Sequence, residues 1–266
     1  MATVLSEQRG DVARIALDRP EQLNSLDLPT RRALLDALRA AANDDAVRAV
    51  ILTATGRAFC SGQDLGAAEE LVNAGATVAE SYNPIARCLR EMDKPVVAAV
   101  NGLAVGAGMG LALCCDEIVM SEKAFLACAF VRVGLVPDTG VTSALVRTLG
   151  HARAFELART ARRVDAEEAL ALGLVNEVVT AEALADAAMR RAKELASGPA
   201  LALALTKRLV VRAAHEDLDT MLDLEAEAQG AAAASPDHAE GVAAFDAKRP
   251  AAYTAAGRPP AGLVRP

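Results

Sequence analysis

The sequence predicts an α/β fold of stacked ββα turns followed by a helical C-terminal region, and three observations predict it. Two short apolar runs, Val47 to Thr53 and Pro95 to Val100, are bounded by polar turns, as suits buried parallel strands. Helix-compatible stretches alternate with them, from about Pro29 to Ala42 and from Val78 to Glu91. The strand, turn and helix recur at roughly 50-residue spacing, the rhythm of a spiral. A chain of 266 residues, 53% hydrophobic, 3% aromatic and without tryptophan, is long enough for one large core or a domain with an appendage.

In chain order, Val4 to Glu7, a Gly10-Asp11 turn and Val12 to Leu17 read as a hairpin whose second strand is closed by Asp18-Arg19-Pro20. The third unit begins at Glu117-Ile118-Val119-Met120, passes Phe125 to Val131, and reaches Gly134-Leu135-Val136-Pro137-Asp138 before a helical run from Val141 to Leu149. Helical segments follow at Ala152 to Thr160, Ala166 to Leu172, Ala181 to Ala196 and Leu201 to Glu227, with Gly173 to Val179 as a strand or turn. Ser235-Pro236 breaks the alanine-rich tail before a last helical piece, Ala239 to Lys248. The expected division is a core over residues 1–198 carrying the chemistry and a helical region over 199–266.

A net charge of −7 argues against nucleic acid, because the basic residues are scattered and phosphate binding needs a basic face. Five cysteines without framework spacing, and no leader-like segment before Val4, predict a reducing, cytoplasmic setting. The run Val96 to Cys115 has about the length of a membrane span. Its four glycines, β-branched start and abrupt end at Asp116-Glu117 fit a buried strand, turn and helix better.

The candidate chemistry lies in two glycine-bearing turns, Ala58-Phe59-Cys60-Ser61-Gly62-Gln63-Asp64-Leu65 and Asn101-Gly102-Leu103-Ala104-Val105-Gly106-Ala107-Gly108-Met109-Gly110. Each follows a strand-like run, where bare backbone can aim N–H groups at a developing negative charge; two such donors make an oxyanion hole. A dinucleotide fingerprint fails at Leu111, where glycine would be required. The spacing Gly102, Gly106, Gly110 also suits close helix packing, and the two readings are compatible. Cys60 and Ser61 have no base in view, since His151, His215 and His238 lie far along the chain, and no metal-ligand spacing is present.

The run Phe59 to Leu65, then Lys94-Pro95-Val96-Val97-Ala98-Ala99-Val100-Asn101-Gly102, then Gly134 to Asp138 resemble the enoyl-CoA hydratase/isomerase (crotonase) superfamily. Arg19-Pro20 with Leu23-Asn24-Ser25-Leu26, and Phe245 to Pro250, extend the resemblance over nearly the whole chain. It implies a crotonase-like ββα spiral with a C-terminal helical trimerisation region, a homo-trimer or dimer of trimers, and an acyl-CoA thioester as substrate. No cofactor, metal, membrane or nucleic acid is implied, coenzyme A being part of the substrate. By position the oxyanion donors would be the N–H groups of Gln63 and Ala107. Leu23, Ala58, Ser61, Asp64, Leu65, Gly106, Gly110, Phe130, Val131, Pro137 and Lys248 would line the acyl or CoA site, with Asp64 also expected to cap or brace the helix after the first turn.

Hydratases of the family hold one water between two glutamates, and those positions are Gly110 and Phe130 here. The resemblance is strongest to the branch of Δ3,Δ2-enoyl-CoA and ring-1,2-epoxyphenylacetyl-CoA isomerases, which use a single carboxylate at the turn Leu135-Val136-Pro137-Asp138-Thr139-Gly140. Tyr82-Asn83-Pro84 and Val105 to Gly108 share that likeness. Taken alone, Asp138 fits an N-cap as well as a catalyst, being placed after proline and before a helix. The resemblance turns the reading to catalyst, a base whose pKa apolar neighbours such as Phe130, Val131 and Val136 would raise. The expected function is therefore acyl-CoA isomerisation, in fatty acid or phenylacetate metabolism. A hydratase and a non-catalytic acyl-CoA-binding protein are the alternatives.

Overall fold

The computed structural model describes residues 2–66, 72–254, 257–260 and 262–264. The hairpin of β1 (Val4–Arg9) and β2 (Val12–Leu17) opens a six-stranded sheet. Its other strands, β3 (Ala49–Ala54), β5 (Val96–Val100), β7 (Glu117–Ser121) and β10 (Glu177–Val179), continue it in parallel in the order β1-β2-β3-β5-β7-β10. A second sheet of order β4-β6-β8-β9 is built from β4 (Ala58–Cys60), β6 (Leu103–Val105), β8 (Phe125–Ala127) and β9 (Arg163–Asp165). Successive turns of the chain thus lay one strand in the first sheet and the next in the second, which is the spiral.

The first sheet is covered on both faces, and this is why β3 and β5 read as unbroken apolar runs. Val50, Leu52, Val96, Ala98 and Val100 face the main core. Ala49, Ile51, Val97 and Ala99 alternate with them and meet Leu184, Ala187, Ala188 and Ala192 of α7 (Leu184–Ala196). The run Val96 to Cys115 resolves into β5, β6 and α4 (Ala107–Leu113), and among the described residues no helix is long and apolar enough to cross a membrane.

On the other side α1 (Leu28–Asn43) is capped by Asp27, which accepts from the Thr30 amide at 2.9 Å. A short α2 (Ala74–Thr77) passes through a π-helical turn, Val78–Tyr82, into α3 (Asn83–Glu91). The two predicted helices on either side of Gly150 form one element, α5 (Val141–Thr160), broken at that glycine, and α6 (Ala166–Ala171) follows β9.

The predicted helix from Leu201 to Glu227 is corrected to two, α8 (Ala200–Arg212) and α9 (Leu218–Ala233). Asp217 accepts from the Thr220 amide at 2.8 Å and restarts the helix there. The stretch Phe125 to Val131 likewise divides, its strand ending at Ala127 and a 3-10 turn covering Ala129–Val133. The last helix, α10 (Pro236–Asp246), begins three residues earlier than predicted because the Ser235 hydroxyl accepts from the His238 amide at 3.1 Å. A small cluster of its own, including Leu205, Ala228 and Val264, holds the C-terminal helices together.

Candidate active site

The two glycine turns leave neighbouring strands of the second sheet. β4 and β6 pair in parallel, Ala58 opposite Leu103 and Cys60 opposite Ala104, so Ser61-Gly62-Gln63 and Gly106-Ala107 emerge side by side. A β-carbon on Gly62 would stand 3.0 Å from the Val105 carbonyl and 3.5 Å from the Ala107 nitrogen. Ala107 is the first residue of α4, where an amide has no partner within the helix. Gly106 enters that helix at φ 57, ψ −123, a backbone that only glycine adopts without strain.

The Gln63 amide is freed differently. Leu26 N–H donates to the Gly62 carbonyl at 2.8 Å and Asp64 N–H donates to the Leu26 carbonyl at 3.2 Å, a parallel bridge centred on Gln63. In such a bridge the central residue turns its own N–H away from the partner. Among the described residues neither the Gln63 nor the Ala107 amide donates to a protein acceptor. Two unpartnered N–H groups on adjacent turns can bind an oxyanion.

The first turn is tied down at its far side. Arg19 reaches Asp64 at 3.0 Å and the Ser25 carbonyl at 2.7 Å, and the Ser25 hydroxyl donates to Asp64 at 3.1 Å. Although burial pushes the Asp64 carboxyl up, bonds from the Gly66 amide, Arg19 and Ser25 hold it below the ordinary aspartate range. Asp64 therefore braces the segment Arg19–Ser25; the helix it was expected to cap would fall in residues 67–71, outside the described residues. Leu23 accepts from the Ser61 amide at 3.1 Å, and Ala58 accepts from the Asn24 side chain at 2.8 Å, so both shape the turn through their carbonyls.

Asp138 sits between the 3-10 turn and α5. The cap reading is overturned: Gly140 is the N-cap of α5 and no side chain caps it. The Asp138 carboxylate instead accepts from the Thr139 hydroxyl at 2.7 Å. Burial raises its pKa, partly offset by that hydrogen bond. Tyr82 and Cys128 are pushed up by burial first, and the Asp138 charge adds to both, so the three groups share one region.

Gly110 explains how this loop comes close. A β-carbon there would meet the Thr139 β-carbon and carbonyl oxygen at 2.7 Å, so only glycine lets Thr139, and Asp138 beside it, lie against α4. A glutamate at Gly110 has no space. Phe130 is 7% exposed, and its ring tip would lie 3.9 Å from a β-carbon on Gly106, which sets an aromatic edge beside the second turn.

The other predicted residues are spread more widely. Leu65 and Val131 are exposed, Pro137 is half-buried, and Lys248 lies exposed just beyond α10, with no described contact to either turn. Cys60 is buried, its thiol pushed up to about 12, and all three histidines are exposed, so no nucleophile–base pair forms here. A cavity of about 630 Å³ between α3, α5 and the end of α8 includes Arg90, Arg147 and His215 but none of Gln63, Ala107 and Asp138. Sequence reasoning missed Thr139 and the fully buried Arg31. Thr139 could have been suspected from its place between Asp138 and Gly140, whereas nothing in the sequence sets Arg31 apart from any polar residue of an amphipathic helix.

Known proteins match the chain along nearly its whole length. A model of the enoyl-CoA hydratase/isomerase family matches residues 7–256. The chain is 41% identical over 262 residues to the 1,2-epoxyphenylacetyl-CoA isomerase of Escherichia coli K12, covering 96% of this chain and 99% of that protein. It is 35% identical to the short-chain-enoyl-CoA hydratase of Clostridium acetobutylicum, covering 92% and 95%. Among solved structures, an enoyl-CoA hydratase subunit I from Geobacillus kaustophilus superposes with a TM-score of 0.90 at 36% identity, over 95% of this chain and 98% of that one.

Proposed function

Because the chain belongs to the enoyl-CoA hydratase/isomerase family, we propose that it isomerises acyl-CoA thioesters with one carboxylate, Asp138, as proton shuttle. The thioester carbonyl is held between the Gln63 and Ala107 N–H groups. Asp138 removes a proton from C2 of a 3-enoyl thioester, the electrons move into the carbonyl to give a dienolate, and the same carboxyl returns the proton at C4. The product is the conjugated 2-enoyl thioester. Each oxyanion donor is worth about 3 kcal/mol of barrier, and proton transfer by a placed base about 100- to 10,000-fold in rate.

The observation that carries the reading is the contact of Gly110 with Thr139. It excludes a glutamate from one water-activating position, and Asp138, next to Thr139, is a desolvated carboxylate engaged by no helix amide. The likeness to an isomerase of a ring epoxide supports an aromatic thioester as a second substrate class, with ring-epoxide isomerisation on the same oxyanion site. Val210, Leu218, Leu222 and Phe245 are exposed along the C-terminal helices at 53–83%, which supports assembly into a homo-trimer or a pair of trimers, to be measured by light scattering.

The test pairs wild type with Asp138→Asn on a 3-enoyl-CoA, recording conjugated thioester formation beside hydration of 2-enoyl-CoA. Isomerisation that collapses in the variant, with hydration negligible in both, is expected. Hydration without isomerisation would replace the proposal with a hydratase, and silence in both assays with a binding protein.

A further inference from the structure

Arg31 lies in the first turn of α1 and is 1% exposed, a depth at which arginine is rarely found. Its Nη1 donates to the Leu26 carbonyl at 2.7 Å and to the Tyr82 hydroxyl at 3.1 Å, and that hydroxyl donates to the same carbonyl at 3.4 Å. The guanidinium also lies over the Tyr82 ring, 4.6 Å from its centre. Tyr82 ends the π-helical turn, a local widening of the helix that often marks functional positions.

The carbonyl at the centre of this cluster is the one that holds the first glycine turn. Leu26 accepts from the Asp64 amide and donates to the Gly62 carbonyl, so Gly62-Gln63-Asp64 is attached to Leu26 from both sides. We infer that Arg31, assisted by Tyr82, is a positioning residue for the oxyanion site: by fixing the Leu26 carbonyl it sets the direction of the Gln63 N–H. A charge-assisted bond in a dry interior is shorter and stronger than a neutral one, and a carbonyl with two lone pairs can hold Arg31 and Asp64 together. An oxyanion donor displaced by about 1 Å loses up to roughly 100-fold in rate.

The inference rests on Gln63 being an oxyanion donor and is independent of Asp138 being the base. Cinnamoyl-CoA supplies a readout without turnover, because polarising its thioester carbonyl moves its absorbance to longer wavelength. Wild type and Asp138→Asn are expected to give the same red shift. Arg31→Met should lose most of it, with kcat on a 3-enoyl-CoA lower by about 10- to 100-fold and KM nearly unchanged. Arg31→Lys should recover part of both, and Tyr82→Phe should show a smaller loss of both, which keeps the test decisive if Arg31→Met does not fold. An unchanged red shift in folded Arg31→Met, or in Tyr82→Phe where Arg31→Met is unfolded, overturns the proposal. Absence of a red shift in wild type overturns the oxyanion reading and this inference together. Activity and red shift that both survive Asp138→Asn overturn only the assignment of the base.

Discussion

Replacing Gly110 by alanine would place a methyl carbon 2.7 Å from both the β-carbon and the carbonyl oxygen of Thr139. Carbon atoms in contact settle near 3.5–4.0 Å, so α4 or the Thr139 segment must yield by about 0.8 Å or more. Thr139 is 1% exposed and its carbonyl accepts from the Cys114 thiol at 3.5 Å, so the displacement meets packed neighbours. Overpacking of this kind costs about 1–3 kcal/mol, each worth roughly 2–4 °C of Tm in a chain of this size. Asp138 is covalently joined to Thr139 and moves with it, and a shift approaching 1 Å costs up to about 100-fold. The expected outcome for Gly110→Ala is a kcat lower by about 10- to 100-fold on a 3-enoyl-CoA and a lower Tm by thermal melting. Gly110→Glu should be worse on both counts and gain no hydration. Wild-type kcat and Tm in the alanine variant would refute the argument that this contact positions the base; a lower Tm with full kcat would reduce the contact to packing.

Burial raises the Asp138 pKa, so the folded state holds that proton more tightly than the unfolded chain, whose value is near 3.9. The ionised form then costs stability once pH passes the unfolded value, and Asp138→Asn should be more stable than wild type at pH 7 by urea titration, the gap closing toward pH 3; the reverse order would refute the desolvation. The same ionisation should give wild-type kcat/KM an acid limb above the ordinary aspartate range. Arg19→Met removes the guanidinium between Asp64 and Ser25, whose side chains are partly screened, and should cost about 1–2 kcal/mol by urea titration together with some kcat. A variant as stable and active as wild type would show that the brace is dispensable. Cys60, its thiol at about 12, should resist a thiol reagent at pH 8 until urea unfolds the chain, and mass mapping of labelled peptides would expose an error if Cys60 reacted natively.

The spiral was legible because its signals are local. Val96 to Val100 announces a strand by an unbroken apolar run, and Arg19-Pro20 ends one by chemistry that any proline imposes. The second sheet was not legible in the same way. Its strands are three residues each, and β4 and β6 lie inside the very segments that read as glycine turns, so their pairing is a tertiary event with no periodicity to betray it. The split of α8 from α9 turned on one carboxylate, Asp217, competing with a continuous apolar pattern, and the cap prevailed.

At the site, the sequence named residue types and left their roles open. Asp138 could be named, yet cap and base are identical in sequence, since each wants an aspartate after proline and before a helix. The structure removes the cap, because Gly140 takes that position at φ 81 and the Asp138 carboxylate accepts from the Thr139 hydroxyl. Gly110 was first noticed for what it lacks, a glutamate. In three dimensions the missing side chain is the space that Thr139 occupies, so a longer side chain at position 110 and the course of the Asp138-Thr139 segment exclude each other. A chain with glutamate at position 110 would have to displace Thr139, and Asp138 beside it, to house the side chain.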